Sequence, residues 1–328
     1  MNTRFRQIEK RKQVNLYNQQ KNNGAKGIFG DARNGGHWNN VKKKGGITKT
    51  ISNYDFILKP EDSKYNLYSA IRENAMQYFD NHSISWWRQE EDGYFPTGHL
   101  LSSQIHCLNH LFALRTDPKA VKTIIDKATG MSFDNVLPSL IDDDLESFIS
   151  FEFAFKNNEW LQETDEGAKR GTLCTSIDAM VMAELAGKKW LIPIEWKYTE
   201  TYQGKDLTAD KRLERYSHLI ESSPHLKMPQ DDIPHSVYFI EPSYELMRQT
   251  LLCEQLVKNG YADDFFHINV IPNGNMELRD AVEKEFIPML KDDSKFKIID
   301  PQDLLSPLEE KNMHPELIEY LKKRYWYR

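Results

Sequence analysis

Regular apolar spacing sets in near Tyr54; before it, only Arg4–Gln19 has a pattern that a helix could use. Tyr65–Phe79 then places Leu67, Ile71, Ala75 and Tyr78 at helical intervals, and Leu100–Leu114 and Pro118–Ala128 continue that period. At Phe151 the period changes. Phe151, Phe153 and Phe155 alternate with Glu152 and Ala154, which predicts a strand. Leu173–Glu184 and Lys189–Tyr198 are two further strand-like runs, joined by Ala186-Gly187-Lys188, which is short enough for a hairpin turn. Thr208–Ile220 and Tyr244–Asn259 read as helices, the second with Ser243 as N-cap and Gly260 past its end. Ser236–Ile240 and Phe265–Ile271 are short apolar runs of the kind buried strands use, and helix returns from Glu277, with prolines punctuating the segment near Pro301–Pro307.

The order is therefore helix, three strands with the last two as a hairpin, helix, strand, helix, strand. It predicts an α/β fold with a mixed central sheet flanked by helices, antiparallel strands leading into parallel ones.

Charge divides the chain. Residues 1–50 carry 12 Lys/Arg against 2 Asp/Glu, while the other 278 carry 31 against 47. The overall pI near 6.0 hides that split. The first fifty residues also hold 7 of the 16 glycines and a Lys42-Lys43-Lys44 cluster, so residues 1–52 are expected to form a basic, flexible arm. Gly24-Ala-Lys-Gly27-Ile-Phe-Gly30 lacks the closing Gly-Lys-Ser/Thr of a phosphate loop and follows no strand. No apolar run is long enough to span a membrane, and Met1–Lys10 is too charged for a signal peptide. Cys107, Cys174 and Cys253 lie far apart and read as reduced thiols of a cytoplasmic protein.

Candidate chemistry sits in the hairpin. Glu195 and Lys197 are two apart on one strand and share a face, and the turn at Gly187 brings Asp178 of the preceding strand near Glu195. Two carboxylates in an apolar sheet repel each other unless a cation neutralises them. Oxygen-only ligands suit Mg²⁺, for which Mn²⁺ can stand in. A lysine on that face could hold an attacking water and stabilise charge on a phosphate. The spacing alone is common, since Asp62/Lys64, Asp293/Lys295 and Glu309/Lys311 share it; only Glu195/Lys197 follows a strand that carries an acid. The competing reading is an edge-strand ion pair, with Asp178 at a turn.

This arrangement resembles the PD-(D/E)XK nuclease superfamily. Asn66-Leu-Tyr, Tyr78-Phe, Ile84-Ser-Trp-Trp, Ser102-Ser-Gln104 with Asn109, Ile194-Glu-Trp-Lys-Tyr-Thr-Glu200 and Glu241-Pro-Ser-Tyr-Glu-Leu-Met-Arg-Gln249 are similar to bacterial restriction-endonuclease-like proteins. The likeness covers roughly residues 53–290 and implies a restriction-endonuclease-like nuclease domain there, with a helical extension at 291–328. It further implies Asp178 and Glu195 as metal ligands, Lys197 as catalytic lysine, Mg²⁺ as cofactor and double-stranded DNA as substrate, in restriction or another anti-invader role. Cutting two strands suggests a homodimer. A weakly catalytic binding module, or a nuclease for RNA or branched DNA, are the alternatives. Here Ile177 precedes Asp178 where the motif has proline, and Leu100–Leu114 has no acid where many members add one.

Glu152 could supply a further ligand or simply face solvent, and Gln104 could position a phosphate or a metal-bound water, or pack. Glu200 falls on the strand face opposite Glu195 and stays outside the ligand set. His106 and His110 share a helical face but have no third zinc ligand in the sequence, which favours ordinary histidines. Trp86-Trp87-Arg88, Trp190 and Tyr325-Trp326-Tyr327-Arg328 could stack on bases, though aromatics more often fill cores; Trp196, opposite Glu195 and Lys197, is expected to do so. The Lys205–Arg215 segment could touch phosphates or form a solvated helix face.

Overall fold

The computed structural model describes residues 3–23, 27–43, 47–87, 95–141, 146–163, 170, 174–202, 204–228 and 235–326. Lys26, Lys44, Arg88, the Asp142-Asp143-Asp144 run, Leu173, Tyr327 and Arg328 lie outside the described residues. The first stretch of chain supplies α1 (Arg4–Asn23), β1 (Asn34–Lys43), β2 (Ile47–Leu58), α2 (Arg72–Asn81) and α3 (Ser103–Leu111). There follow α4 (Pro118–Thr129), β3 (Asn135–Leu137), β4 (Ser150–Phe153), β5 (Ile177–Leu185), β6 (Lys188–Trp196) and α5 (Asp210–Glu221). The remainder holds α6 (Ser243–Lys258), β7 (Asp264–Phe265), β8 (His267–Val270), α7 (Met276–Ala281), β9 (Phe296–Ile299), α8 (Pro301–Glu310) and α9 (Pro315–Arg324).

Two compact units emerge. Residues 114–315 form one, and the described residues up to 113 form the other together with 316–326. Composition places a boundary at 52/53 and the resemblance one at 290/291, whereas these units divide at 113/114 and 315/316.

The 114–315 unit is built on a seven-stranded mixed sheet in the order β3-β5-β6-β8-β9, with β4 also on β5 and β7 also on β6. β5 and β6 form the expected antiparallel hairpin, and β6, β8 and β9 run parallel. At its turn Ala186 and Gly187 have φ of +52° and +74°, the left-handed pair that a two-residue turn between twisted strands needs. Alternation then sorts the faces. Asp178, Met180 and Met182 of β5 lie with Leu191, Pro193 and Glu195 of β6. On that side, Met180, Met182 and Leu191 pack with Tyr216 and Ile220 of α5 and Leu251, Leu252 and Leu256 of α6.

Three sequence expectations change here. Ser236–Ile240 is a 3₁₀ turn over His235–Phe239, touching the Asp206 strand-bridge only at Ile240. A short apolar run has no period with which to separate the two, and here burial of Tyr238 and Phe239 is met by a tight turn. Helix α6 starts at Ser243 itself, with Pro242 in the capping place. Strands β3 and β9 went unseen because three or four residues show too little alternation.

In the other unit, the segment expected to be a flexible arm contributes to a core. Tyr17 of α1 is buried with Phe29, Ala32, Leu58 and Leu100, and its hydroxyl donates to the Ala32 carbonyl at 2.6 Å. Gln13 donates to the Arg324 carbonyl, and the Arg324 guanidinium lies over Phe29 and bonds Asn66 and the Tyr320 hydroxyl. A few buried anchors outweigh a basic composition, because the remaining charges can stay in water. Asn109 completes this network: its oxygen accepts from the Tyr68 amide at 2.7 Å, and its amide donates to Asn66 and Tyr325. The Asn66 and Asn109 positions of the resemblance are thus packing devices.

Candidate active site

Ala179 of β5 pairs with Ile194 of β6, so one step further along the hairpin Asp178 stands opposite Glu195. Glu195 in turn pairs with Asn269 of β8, which puts Asp178, Glu195 and Asn269 in one row across the sheet. Asp178 accepts the Trp196 amide at 2.7 Å, a bond that ties its carboxylate to the end of β6. Lys197 follows two residues after Glu195 and its ammonium reaches back to Glu195 Oε1 at 2.5 Å. The three residues singled out in the sequence therefore converge.

Helix α6 closes the site and supplies residues that the sequence reading did not assign. Glu245 Oε2 lies 2.5 Å from the Lys197 ammonium and also accepts from the Tyr202 hydroxyl at 3.0 Å. Gln249, one turn on, donates to Glu195 Oε2 at 2.5 Å and to the Ser176 carbonyl at 3.2 Å. Arg248 donates to the Thr175 hydroxyl, while buried Glu163 takes the Thr175 amide and hydroxyl, each at 2.6 Å, and the Tyr216 hydroxyl. These bonds pin α6 to the segment that enters β5, and so fix where Asp178 stands. The signal was present as two polar residues four apart, Glu245 and Gln249, on one stripe of α6.

The electrostatics are those of a site short of positive charge. Burial and then the charge of Glu152 push Asp178 up to about 8. Burial and the neighbouring Asp178 and Glu245 carboxylates hold Glu195 well above the ordinary range. Glu241 is raised as well, by burial and by Glu245. Burial works against the Lys197 charge, but Glu195 and Glu245 outweigh it and keep the ammonium protonated. Glu245 alone falls below its usual value: Lys197 overcomes the effect of burial. Lys197, with Arg248 of α6 acting on Glu241 and Glu245, cannot satisfy this many acids. The carboxylates offer oxygen donors, and two buried carbonyl oxygens beside Glu195, Gln249 Oε1 and Asn269 Oδ1, have no hydrogen-bond partner among the described residues. A hard divalent cation fits such a donor set. Among the described residues no three His, Cys, Asp or Glu side chains stand gathered as a finished metal cluster.

Glu152 lies on β4 between Phe151 and Phe153, which pair with Ala179 and Ile177, so the register sets it against Asp178. It is buried, with φ of +48°, a conformation rarely held by a residue with a side chain. This places it beside the pair and away from open solvent. Gln104 belongs to the other unit, where its oxygen accepts from the Trp87 amide at 2.9 Å and its amide donates to Ser85. Glu200 accepts the Tyr198 amide. His110 Nδ1 meets the His106 carbonyl and its Nε2 takes the Trp326 indole N–H, which makes it a neutral core histidine pushed by burial down to about 3. Tyr325 packs against both histidine rings, and Trp86 stacks on Phe79. Trp196 is buried as expected. In the Lys205–Arg215 segment, Lys205 and Lys211 are exposed, whereas Arg212 and Arg215 lie over Tyr244 and Tyr216.

His267, two residues before Asn269 on β8, is buried, and that burial pushes its imidazole down to about 3 from an ordinary 6.5. Below pH 6.5 the unfolded chain takes up a proton that the folded chain refuses, so stability is lost from there down to about pH 3. Between pH 6.5 and 4.5, His267→Phe is expected to lose about 2–3 kcal/mol less than the wild type. Urea titrations at the two pH values measure this; parallel losses would mean that His267 titrates normally.

The fold offers a hairpin on which Asp178, Glu195 and Lys197 converge. The model of the REase-ARP family, described as restriction endonuclease associating with ARP, matches residues 29–326, and the chain belongs to that family. A restriction-endonuclease family implies a nuclease, and the mixed α/β sheet is compatible with that fold. The match takes in residues 29–52 and most of the 291–328 extension, both of which lie outside the nuclease domain that the resemblance implies. No curated protein and no solved structure matches the chain. No helix among the described residues is long and apolar enough to cross a membrane.

Proposed function

We propose that the chain is a metal-dependent endonuclease of the PD-(D/E)XK type that hydrolyses phosphodiester bonds in double-stranded DNA, in restriction or a related anti-invader role. The observation that carries the reading is the convergence of Asp178, Glu195 and Lys197 beneath α6, with more buried acid than one lysine neutralises. Asp178 and Glu195 would hold Mg²⁺, or Mn²⁺ in its place, with Glu152 as supporting carboxylate. When bound, the ion supplies Lewis-acid polarisation and a more acidic water. Lys197 donates hydrogen bonds to the attacking water and to a non-bridging phosphate oxygen, where its positive charge offsets the negative charge that develops. Glu245 and Tyr202 keep that lysine on the site face, and Gln249 fixes the Glu195 carboxylate. Cutting both strands takes two such sites, which favours a homodimer. The three cysteines are free, as suits a cytoplasmic enzyme.

The test is cleavage of supercoiled, linear and single-stranded DNA and of RNA with Mg²⁺ or Mn²⁺. Wild-type protein is expected to nick duplex DNA only with metal, and Glu195→Gln to lower the rate about a thousandfold, since ligand removal forfeits several kcal/mol of transition-state stabilisation. Undiminished cleavage by Asp178→Asn, Glu195→Gln and Lys197→Ala would overturn the assignment. Salt-dependent binding without cleavage of any substrate would instead favour a binding module.

A further inference from the structure

The row Asp178–Glu195–Asn269 ends in a polar side chain that nothing in the sheet requires. Asn269 is 1% exposed, sits on a strand between Ile268 and Val270, and its Oδ1 has no donor among the described residues. Parallel pairing with Glu195 places both side chains on the face that α6 covers. Gln249 is 0% exposed and shows the same imbalance: its amide nitrogen donates to Glu195 and Ser176, while its Oε1 is unpartnered. Turning that amide over would set its oxygen against the Glu195 carboxylate, so the lone acceptor is a consequence of holding Glu195. Buried carbonyl oxygens left without donors are destabilising and rare, and two flank one carboxylate here. A bare cation would take them as direct ligands, yet Mg²⁺ gives up its waters reluctantly and presents strongly polarised O–H donors instead.

We propose that Asn269 and Gln249 are positioning residues that accept hydrogen bonds from the water ligands of the divalent cation at Asp178 and Glu195, an inference that rests on the metal-site reading above. Their carbonyls add neutral acceptors to the outer sphere on the β8 and α6 sides of Glu195, while Glu245 of α6 is engaged by Lys197 and Tyr202. Gln249 couples the two spheres, since one amide orients the Glu195 carboxylate and offers an acceptor beside it. Outer-sphere partners of this kind change metal affinity by about 10–100-fold.

Isothermal titration of the full-length protein with MgCl₂, without DNA, tests this directly. Asn269→Val suits a strand and removes the acceptor; it is expected to weaken Mg²⁺ binding at least about tenfold while the metal-free melting temperature stays level or rises. Asn269→Asp restores an acceptor and should bind Mg²⁺ at least as tightly as the wild type. Asn269→Leu gives a second apolar variant should Val fail to fold, judged by circular dichroism. Wild-type binding matched by a folded Val or Leu variant would overturn the inference and leave the metal site standing. A wild type that binds neither Mg²⁺ nor Mn²⁺ would overturn the metal site, and the inference with it. A metal-free protein that melts markedly lower with Val would make Asn269 a structural residue and also overturn it.

Discussion

Asp178→Asn is expected to make the metal-free protein more stable and to abolish metal-dependent cleavage. The two effects share a cause. Asp178 is held at about 8 by burial and by Glu152, so above that pH the folded chain carries a charge that its surroundings oppose. Asparagine keeps an oxygen for the Trp196 amide and drops that charge. From pH 4 to 8 the folded protein retains a proton that the unfolded chain has already lost, so wild-type stability falls as pH rises through this window. The advantage of Asn therefore grows toward pH 8 and levels off beyond it. We expect about 2 kcal/mol at pH 8.5, or several degrees in melting temperature, and little difference at pH 4. Thermal melts in EDTA at the two pH values measure the first effect, and plasmid nicking in Mg²⁺ measures the second, with a loss of about a thousandfold. An Asp178→Asn protein that melts lower at pH 8.5 would make Asp178 a structural acid and remove the reason to assign it a metal.

How much of this was legible follows from what a linear pattern can carry. The β5–β6 hairpin was visible because alternation, a glycine turn and an acid on each strand fall within twenty residues, and local sequence fixes such a hairpin's register. Trp196 was legible for the same reason. Residues whose roles depend on distant chain were not. Glu163, Thr175 and Arg248 become one network only when α6 lies on the sheet, across as many as 85 positions from Glu163 to Arg248. Asn269 resembles any polar residue in a short strand until pairing sets it beside Glu195. The N-terminal segment misled for the opposite reason. Its charge is conspicuous and its anchors are few, so composition pointed to an arm where Gln13 and Tyr17 are buried. Deleting residues 1–50 would consequently remove part of a core along with the basic charge, and a loss of DNA binding in that truncation could not be credited to charge alone.

Lys197→Met should have the opposite effect on stability to Asp178→Asn and the same effect on cleavage. The lysine is the cation shared by Glu195 and Glu245, each 2.5 Å away, in a pocket where all three are largely withdrawn from water. Removing one partner of a buried ion pair leaves the other uncompensated, at a cost of about 3–5 kcal/mol. Here two carboxylates lose their partner at once, and Glu245, the one acid that Lys197 holds below its usual value, loses the reason for it. Protonation relieves such carboxylates, so the destabilisation should shrink as pH falls, which separates lost charge from lost packing. The double variant Lys197→Met/Asp178→Asn provides the sharper measurement. If the residues share one electrostatic site, Asn should recover part of the stability that Met loses, and the two changes should depart from additivity by more than about 0.5 kcal/mol. Additive effects would mean that Asp178 and Lys197 do not feel each other, and a phosphodiester could not then be attacked between them. Cleavage should remain absent in the rescued double variant, because stability can be regained by removing charge, whereas the proposed chemistry depends on that charge being there.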